Sequence, residues 1–310
     1  MLDRFAALDP TLRTRRALAR IAARMWLPTD LASLAYAFEE LLGEPAPSAR
    51  RLLYDWFFYR QLEAASWSGR AHGGRAELLD AARVGAYVAE CRRGIVVATI
   101  HLGDYLEGLR RLRLAAEWRK RVFVVRRAGW SEFETRAFER VAADLDVTVL
   151  RVGAGAAAIA VRELRRGNVV VALFDLPDRF GRAIDAELLG RRVRVVRGPA
   201  ELAMLAGADV LPLFTHYDER GVSVVEADAV IDTARVAAAS ERDSVSRRAM
   251  RERCAAAITQ RLWRLAEALI RAYPAQWSNW PMVAELRAVV ATPHTASPTL
   301  PRDDGRSRTR

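Results

Sequence analysis

The residues best suited to chemistry lie in the run IVVATIHLGDYLEGL, residues 95–109. An apolar stretch ends at Ile100, and His101 stands at the start of an amphipathic helical pattern. Leu102, Leu106 and Leu109 fall at i, i+4 and i+7. Asp104, Glu107 and Arg111 share another face at i, i+3 and i+7. A strand that delivers one histidine to the rim of a sheet and breaks into a helix is a common α/β active-site device. The helix N-terminus beyond it suits an anion or oxyanion. Asp104, within one turn of His101, could accept an imidazole N–H and leave the other nitrogen as a general base. Plainer readings stand beside these. His101 could be satisfied by a backbone carbonyl, Asp104 could be a first-turn acid favoured by the helix dipole, and Glu107 could pair with Arg110 or Arg111 on the surface.

Two further clusters carry chemistry. In FDLPDRFGR, residues 174–182, Asp175 ends a strand and Asp178 sits in the loop before a glycine turn. Parallel strands would bring both to the rim that holds His101; Asp178 with Arg179 could equally be a solvated pair. In LLGRRVRVVRGPAEL, residues 188–202, Gly198-Pro199 opens a helix, with proline where its missing N–H costs nothing. Arg197 beside that start makes an anion site, or caps an exposed edge.

These residues need a scaffold, and the pattern supplies one. Strands are expected at 95–100, 121–125, 147–151, 169–174, 210–214 and 222–227. Helices are expected at 102–118, 132–143, 154–166 and 199–206. This alternation predicts an α/β fold with a mixed, largely parallel central sheet flanked by helices. A short extra strand is expected around Val193 and Val195. Further helices are expected at 48–66, 77–92 and 244–273, and a loop at 69–74. Three regions follow: a basic amphipathic helical segment at 1–44, an α/β domain at 45–290, and a disordered, apolar-poor tail at 291–310.

Composition narrows the function. The chain has 310 residues and a net charge of +11, nearly all of the positive charge being arginine, with Lys120 a rare exception. Arginine reads phosphate and carboxylate bidentately, so nucleic acid, anionic lipid or a phosphorylated substrate are candidate partners. The arginines are spread over many elements without a reading motif, so nucleic acid is not expected. The arginines of residues 10–26 lie among apolar residues at helical spacing, which suits a bilayer surface or a helix packed on the domain. Cys91 and Cys254 are too few for a disulfide framework. No membrane span or signal peptide is read, so a cytoplasmic location is expected. His72, His101, His216 and His294 are scattered, so no metal is expected. There is no Gly-x-Ser-x-Gly elbow and no P-loop.

Taken in order, the motifs resemble the lipid A biosynthesis (lauroyl/myristoyl) acyltransferases, within the glycerolipid/lysophospholipid acyltransferase superfamily. The resemblance covers residues 42–286. It is carried by Ile100 to Tyr105, Val125-Arg126, Asp175 to Gly181, Leu189-Gly190, Arg197 to Ala203, Gly207 to Pro212, and Tyr273 to Trp277. It implies a glycerolipid-acyltransferase-like fold on the cytoplasmic face of a bacterial inner membrane. It implies transfer of a fatty acyl group from acyl carrier protein or acyl-CoA to a hydroxyl or amine of a lipid acceptor, without a cofactor. His101 is then the base. Arg126 and Asp175 line the site with Asp178, and Arg197 and Gly198 bind anionic groups. The family's acid, five residues after the histidine, is here Leu106. Either Glu107 or Asp104 takes the role, or the dyad is lost and the protein is an impaired relative that binds acyl chains. A retained dyad with Asp104 or Glu107 is the expectation.

Overall fold

A computed structural model describes residues 17, 20–21, 32–67, 76–115, 120–127, 132–153, 155–240 and 246–283. Most of the basic pattern at 10–26, the expected loop at 69–74 and the expected tail at 291–310 lie outside the described residues.

The elements in order are helices α1 (Ala32–Leu42) and α2 (Ala46–Trp67), strand β1 (Ala76–Leu78), α3 (Ala81–Glu90), β2 (Ile95–Thr99), α4 (Tyr105–Ala115), β3 (Val122–Arg126), α5 (Glu132–Asp144), β4 (Val147–Arg151), α6 (Ala156–Arg165), β5 (Val169–Leu173), a 3₁₀ turn (Asp178–Phe180), β6 (Ala183–Leu188), β7 (Arg191–Val196), α7 (Gly198–Ala206), β8 (Asp209–Tyr217), β9 (Ser223–Ala227), α8 (Thr233–Ser240), α9 (Arg247–Ala272), and 3₁₀ turns at Pro274–Gln276 and Trp280–Met282. Seven strands form one sheet in the order β1-β9-β8-β2-β5-β3-β4. β8, β2, β5, β3 and β4 run parallel, while β9 is antiparallel to β8 and carries β1 parallel to itself. The α/β class with a mostly parallel mixed sheet is therefore as the alternation predicts.

β2 shows why an unbroken apolar run becomes a central strand. All five of its residues are buried. Val96, Ala98 and the following Ile100 enter one core with α1, α2, α6, α7 and α9. Ile95 and Val97 enter the other with α3, α4 and α5. Helices cover both faces, so neither side of the pleat can be polar.

Two local expectations are corrected. Residues 77–92 do not form one helix: Glu77 and Leu78 pair with Val224 and Val225 in the edge strand β1, and the helix begins at Ala81. The extra strand expected near Val193 exists as β7, but its partner is β6, a strand that was not expected. The 1–44 segment is not separate from the domain at its C-terminal end. Phe38 is fully buried, and its ring meets Trp280 edge-on at 4.8 Å. One basic residue of the early segment also faces the domain, since Arg20 forms a bidentate pair with buried Asp55 at 2.7 and 2.6 Å.

Candidate active site

Strand order decides where the site lies. The chain leaves β2, runs out to β3 and β4, and returns as β5 between β2 and β3. The carboxyl ends of β2, β5 and β3 therefore face one crevice, the usual ligand position in open α/β sheets. β2 and β5 pair in register, with Thr99 opposite Leu173. His101 and Asp175 each lie two residues past that last pair, so the two segments leave the sheet side by side.

The Asp175 carboxylate, fully buried, accepts four hydrogen bonds. His101 Nδ1 lies 2.8 Å from Oδ1. Oδ2 accepts from the His101 backbone N–H at 2.9 Å, Trp277 Nε1 at 2.8 Å and Asn279 Nδ2 at 2.9 Å. Asn279 Nδ2 also donates to the Asp175 carbonyl at 2.7 Å. A carboxylate offers acceptors, so the network assigns the imidazole proton to Nδ1 and the lone pair to Nε2. Asn279 Nδ2 also lies 3.0 Å from Nδ1; with the proton on Nδ1, the amide hydrogens are assigned to the Asp175 carbonyl and Oδ2.

The C-terminal segment completes this arrangement. Leu102 and Trp277 form an antiparallel bridge, and Ser278 donates to the His101 carbonyl through its backbone at 2.8 Å and its hydroxyl at 3.0 Å. Gln276 clamps the Tyr217 backbone, accepting from its N–H at 2.6 Å and donating to its carbonyl at 2.8 Å. Trp56 of α2 donates to the Trp277 carbonyl at 2.9 Å. These contacts anchor the two side chains that hold Asp175.

The expected partners of His101 are elsewhere. Asp104 is buried and turned toward α2, where its carboxylate accepts from Ser66 Oγ at 2.6 Å and Trp67 Nε1 at 3.1 Å. It also caps α4 by accepting from the Glu107 backbone N–H at 3.1 Å. Glu107 pairs with Arg111 at 2.8 Å and Arg110 at 3.3 Å. Burial pushes its carboxyl up, against the lowering effect of Arg111. The expectation that Asp104 or Glu107 orients the imidazole is thus corrected. The acid against His101 is Asp175, because strand register places it there while the helix turns Asp104 away. Leu106 lies in the second core, fully enclosed by apolar neighbours.

His101 opens onto a cleft of about 970 Å³. Its walls are largely apolar, from Val124, Phe138, Leu173, Leu176, Val196 and Leu202. Among the described residues lining it, Arg126, Arg127 and Arg179 carry charge and none is acidic. The Arg126 guanidinium lies over the Phe138 ring at 4.1 Å, and Phe180 takes Arg127 at 5.2 Å and Arg179 at 4.8 Å. Tyr105 also lines the cleft, its ring edge-on to His101 at 5.3 Å. Arg126 and Gly198 line the same cleft as His101. Asp178 does not line it; its exposed carboxylate pairs with Arg194 on β7 at 3.5 Å. Arg197 faces away from it, into a separate small pocket.

Sequence reasoning missed Trp277 and Asn279 as contacts of Asp175. Trp277 did belong to the closing motif behind the resemblance, which was the available signal. No protein-family model matches the chain, and no curated protein matches it.

Proposed function

We propose that this protein is an acyltransferase of glycerolipid-acyltransferase-like fold, with His101 as general base and Asp175 as the acid that orients it. The observation that carries the reading is the His101–Asp175 pair at 2.8 Å, set at the end of an apolar cleft whose only charged lining, among the described residues, is arginine. In this reading His101 Nε2 takes the proton from an acceptor hydroxyl or amine as its oxygen or nitrogen attacks the thioester carbonyl of acyl carrier protein or acyl-CoA. The carbon–sulfur bond breaks, and the thiolate leaves with the proton from the imidazolium. Asp175 keeps the proton on Nδ1 and stabilises the imidazolium while the charge exists. The apolar walls suit an acyl chain. Arg126, Arg127 and Arg179 suit anionic groups of donor or acceptor. A lipid acceptor of the lipid A kind and a peripheral place on the cytoplasmic face of an inner membrane belong to the same proposal. No helix among the described residues is long and apolar enough to cross a membrane.

A second reading follows from Leu106. The family acid is absent from its usual position, which favours a relative that binds acyl chains or scaffolds a lipid pathway without transfer. One experiment separates the two. Labelled acyl groups on acyl carrier protein and on coenzyme A are incubated with extracted membrane lipids and wild type, His101→Ala or Asp175→Asn protein. Product that disappears with both variants supports the enzyme, and its mass identifies the acceptor. Folded wild type that binds donor yet forms no product supports the second reading.

A further inference from the structure

We propose that the pocket between α7 and α9 is a binding site for a phosphate monoester dianion, distinct from the cleft that holds His101. The pocket is about 150 Å³ and is lined by Arg182, Arg197, Arg248 and Arg251 with Glu201 and Glu252 as its only acids among the described residues. Four guanidinium groups and two carboxylates leave a charge of +2, the complement of a phosphate dianion.

Three of the arginines have partial counter-charges. Arg182 donates to Glu201 at 2.7 Å and lies 3.5 Å from Glu252. Arg248 reaches Glu252 at 3.4 Å. Arg197 lies 3.4 Å from Glu201 and 3.9 Å from Glu252. Arg197 is only 8 % exposed, and its Nε faces Glu201 Oε2 at 3.4 Å without hydrogen-bond geometry. A buried guanidinium paired only at these long distances keeps donors for an arriving acceptor oxygen. Arg251 has no ion-pair partner among the described residues and stands exposed at the rim of the pocket. Guanidinium forks match phosphate oxygens bidentately, and a single lysine or a helix terminus could not supply this geometry.

The pocket and the cleft share no lining residue, yet their linings alternate along the chain. Gly181, Gly198 and Leu202 face the cleft, while Arg182, Arg197 and Glu201 face the pocket. The two sites stand back to back across α7. The anion site does not depend on the acyl-transfer reading.

The test is calorimetric titration of the full chain with inorganic phosphate, then binding to phosphatidylcholine vesicles with and without phosphatidic acid. Wild type should bind inorganic phosphate at one site. Exposed Arg251→Ala, and Arg248→Ala with it, should weaken binding about tenfold or more, since charge-assisted bonds are lost. Arg197→Ala should do the same, with circular dichroism to check its fold. Arg220→Ala, an exposed arginine between β8 and β9 that lines neither site, should leave phosphate binding unchanged. Selective binding of phosphatidic acid vesicles that is lost with Arg251→Ala would identify a lipid headgroup as the source. Binding of inorganic phosphate alone would identify a soluble phosphate. Absence of binding, equal binding by Arg251→Ala and the double variant, or loss confined to Arg220→Ala would overturn the proposal.

Discussion

Asp175 holds His101 at two points, taking its Nδ1 at 2.8 Å and its backbone N–H at 2.9 Å with the two oxygens of one carboxylate. The grip sets both the ring tautomer and the path of the chain as it leaves β2. A buried acid that does both is a positioning residue for the histidine and a structural tie between adjacent strands.

Asp175→Asn should therefore lower kcat of the proposed acyl transfer by about 10³–10⁴, the scale seen when an orienting acid beside a catalytic histidine is made neutral. Asparagine keeps the size and one acceptor, so thermal unfolding checks that the loss is not one of folding. Transfer at the wild-type rate by a folded Asp175→Asn protein would sink the assignment.

Asp104→Ala should behave differently. It removes a helix cap and two side-chain partners, Ser66 and Trp67. The expected result is a loss of about 1–2 kcal/mol in urea unfolding, with transfer per folded molecule nearly intact. Glu107→Gln should change transfer less than twofold, since its partners Arg110 and Arg111 lie on its own helix. A collapse of kcat in either variant at full folding would return the acid role to α4.

Trp277→Phe deletes one of the four donors to Asp175 while keeping most of the buried ring. A net loss of about 1 kcal/mol corresponds to roughly fivefold in kcat with KM little changed. Because Asp175 acts through the imidazole, the pH profile of kcat should shift as well. An unchanged profile would make Trp277 a packing residue only.

His216 gives the protein a pH-dependent stability. Its ring is stacked on Tyr273 at 4.0 Å, with Glu226 Oε1 3.7 Å from Nδ1. Burial pushes the imidazole below its ordinary value, and Asp218 opposes this. Burial, then Asp228, pushes the Glu226 carboxyl up. The unfolded chain binds the histidine proton more readily, so this contribution is present above about pH 6.5 and is lost as pH falls through the folded value. Glu226 has the opposite sign: its contribution is present below about pH 4.5 and fades as pH rises through its raised value. Urea midpoints at pH 7.5 and 5.5 should fall less on acidification in His216→Gln than in wild type. Equal falls would refute the linkage.

Gly103, two residues after His101, sits in a left-handed turn with φ of 55°. A Cβ there would lie 2.6 Å from the Thr215 carbonyl oxygen and 2.8 Å from His216 Cα. Gly190, with φ of 73°, has nothing within 4 Å of its added Cβ. Gly190→Ala should cost about 1–2 kcal/mol from backbone strain alone. Gly103→Ala should cost about 1–3 kcal/mol more, because backbone must move to admit the methyl. Comparable losses in thermal unfolding would show that the β8 backbone yields freely.

Much of this was legible along the chain. The apolar runs of β2, β3, β4 and β5 were placed to within a residue or two, since hydrophobic periodicity and turn residues act over a few positions. His101, Asp175 and Gly198 are legible because a strand end that breaks into a polar or glycine-bearing turn is a local signal, whereas Arg126 came only through the family resemblance. Glu77 and Leu78 were read as helix because they continue into a helical pattern, while the strand they form depends on β9, nearly 150 residues later. β6 was unread because its short, mixed run shows no clear alternation, and what holds it beyond the hairpin with β7 is packing on α9, about 60 residues later.

By itself, then, the amino-acid sequence determined the alternating elements, the two-faced core and the candidates for chemistry. Only the tertiary structure decided who touches whom. Asp104, three residues from His101, was drawn to Ser66 and Trp67 by a helix that rotates its side chain toward α2. Asp175, 74 residues away, was brought to the imidazole because β5 inserts beside β2 in register. Proximity along a chain is a property of covalent geometry. Proximity across a sheet depends on strand order and register, which are set by packing the whole core and are written in no single stretch of residues.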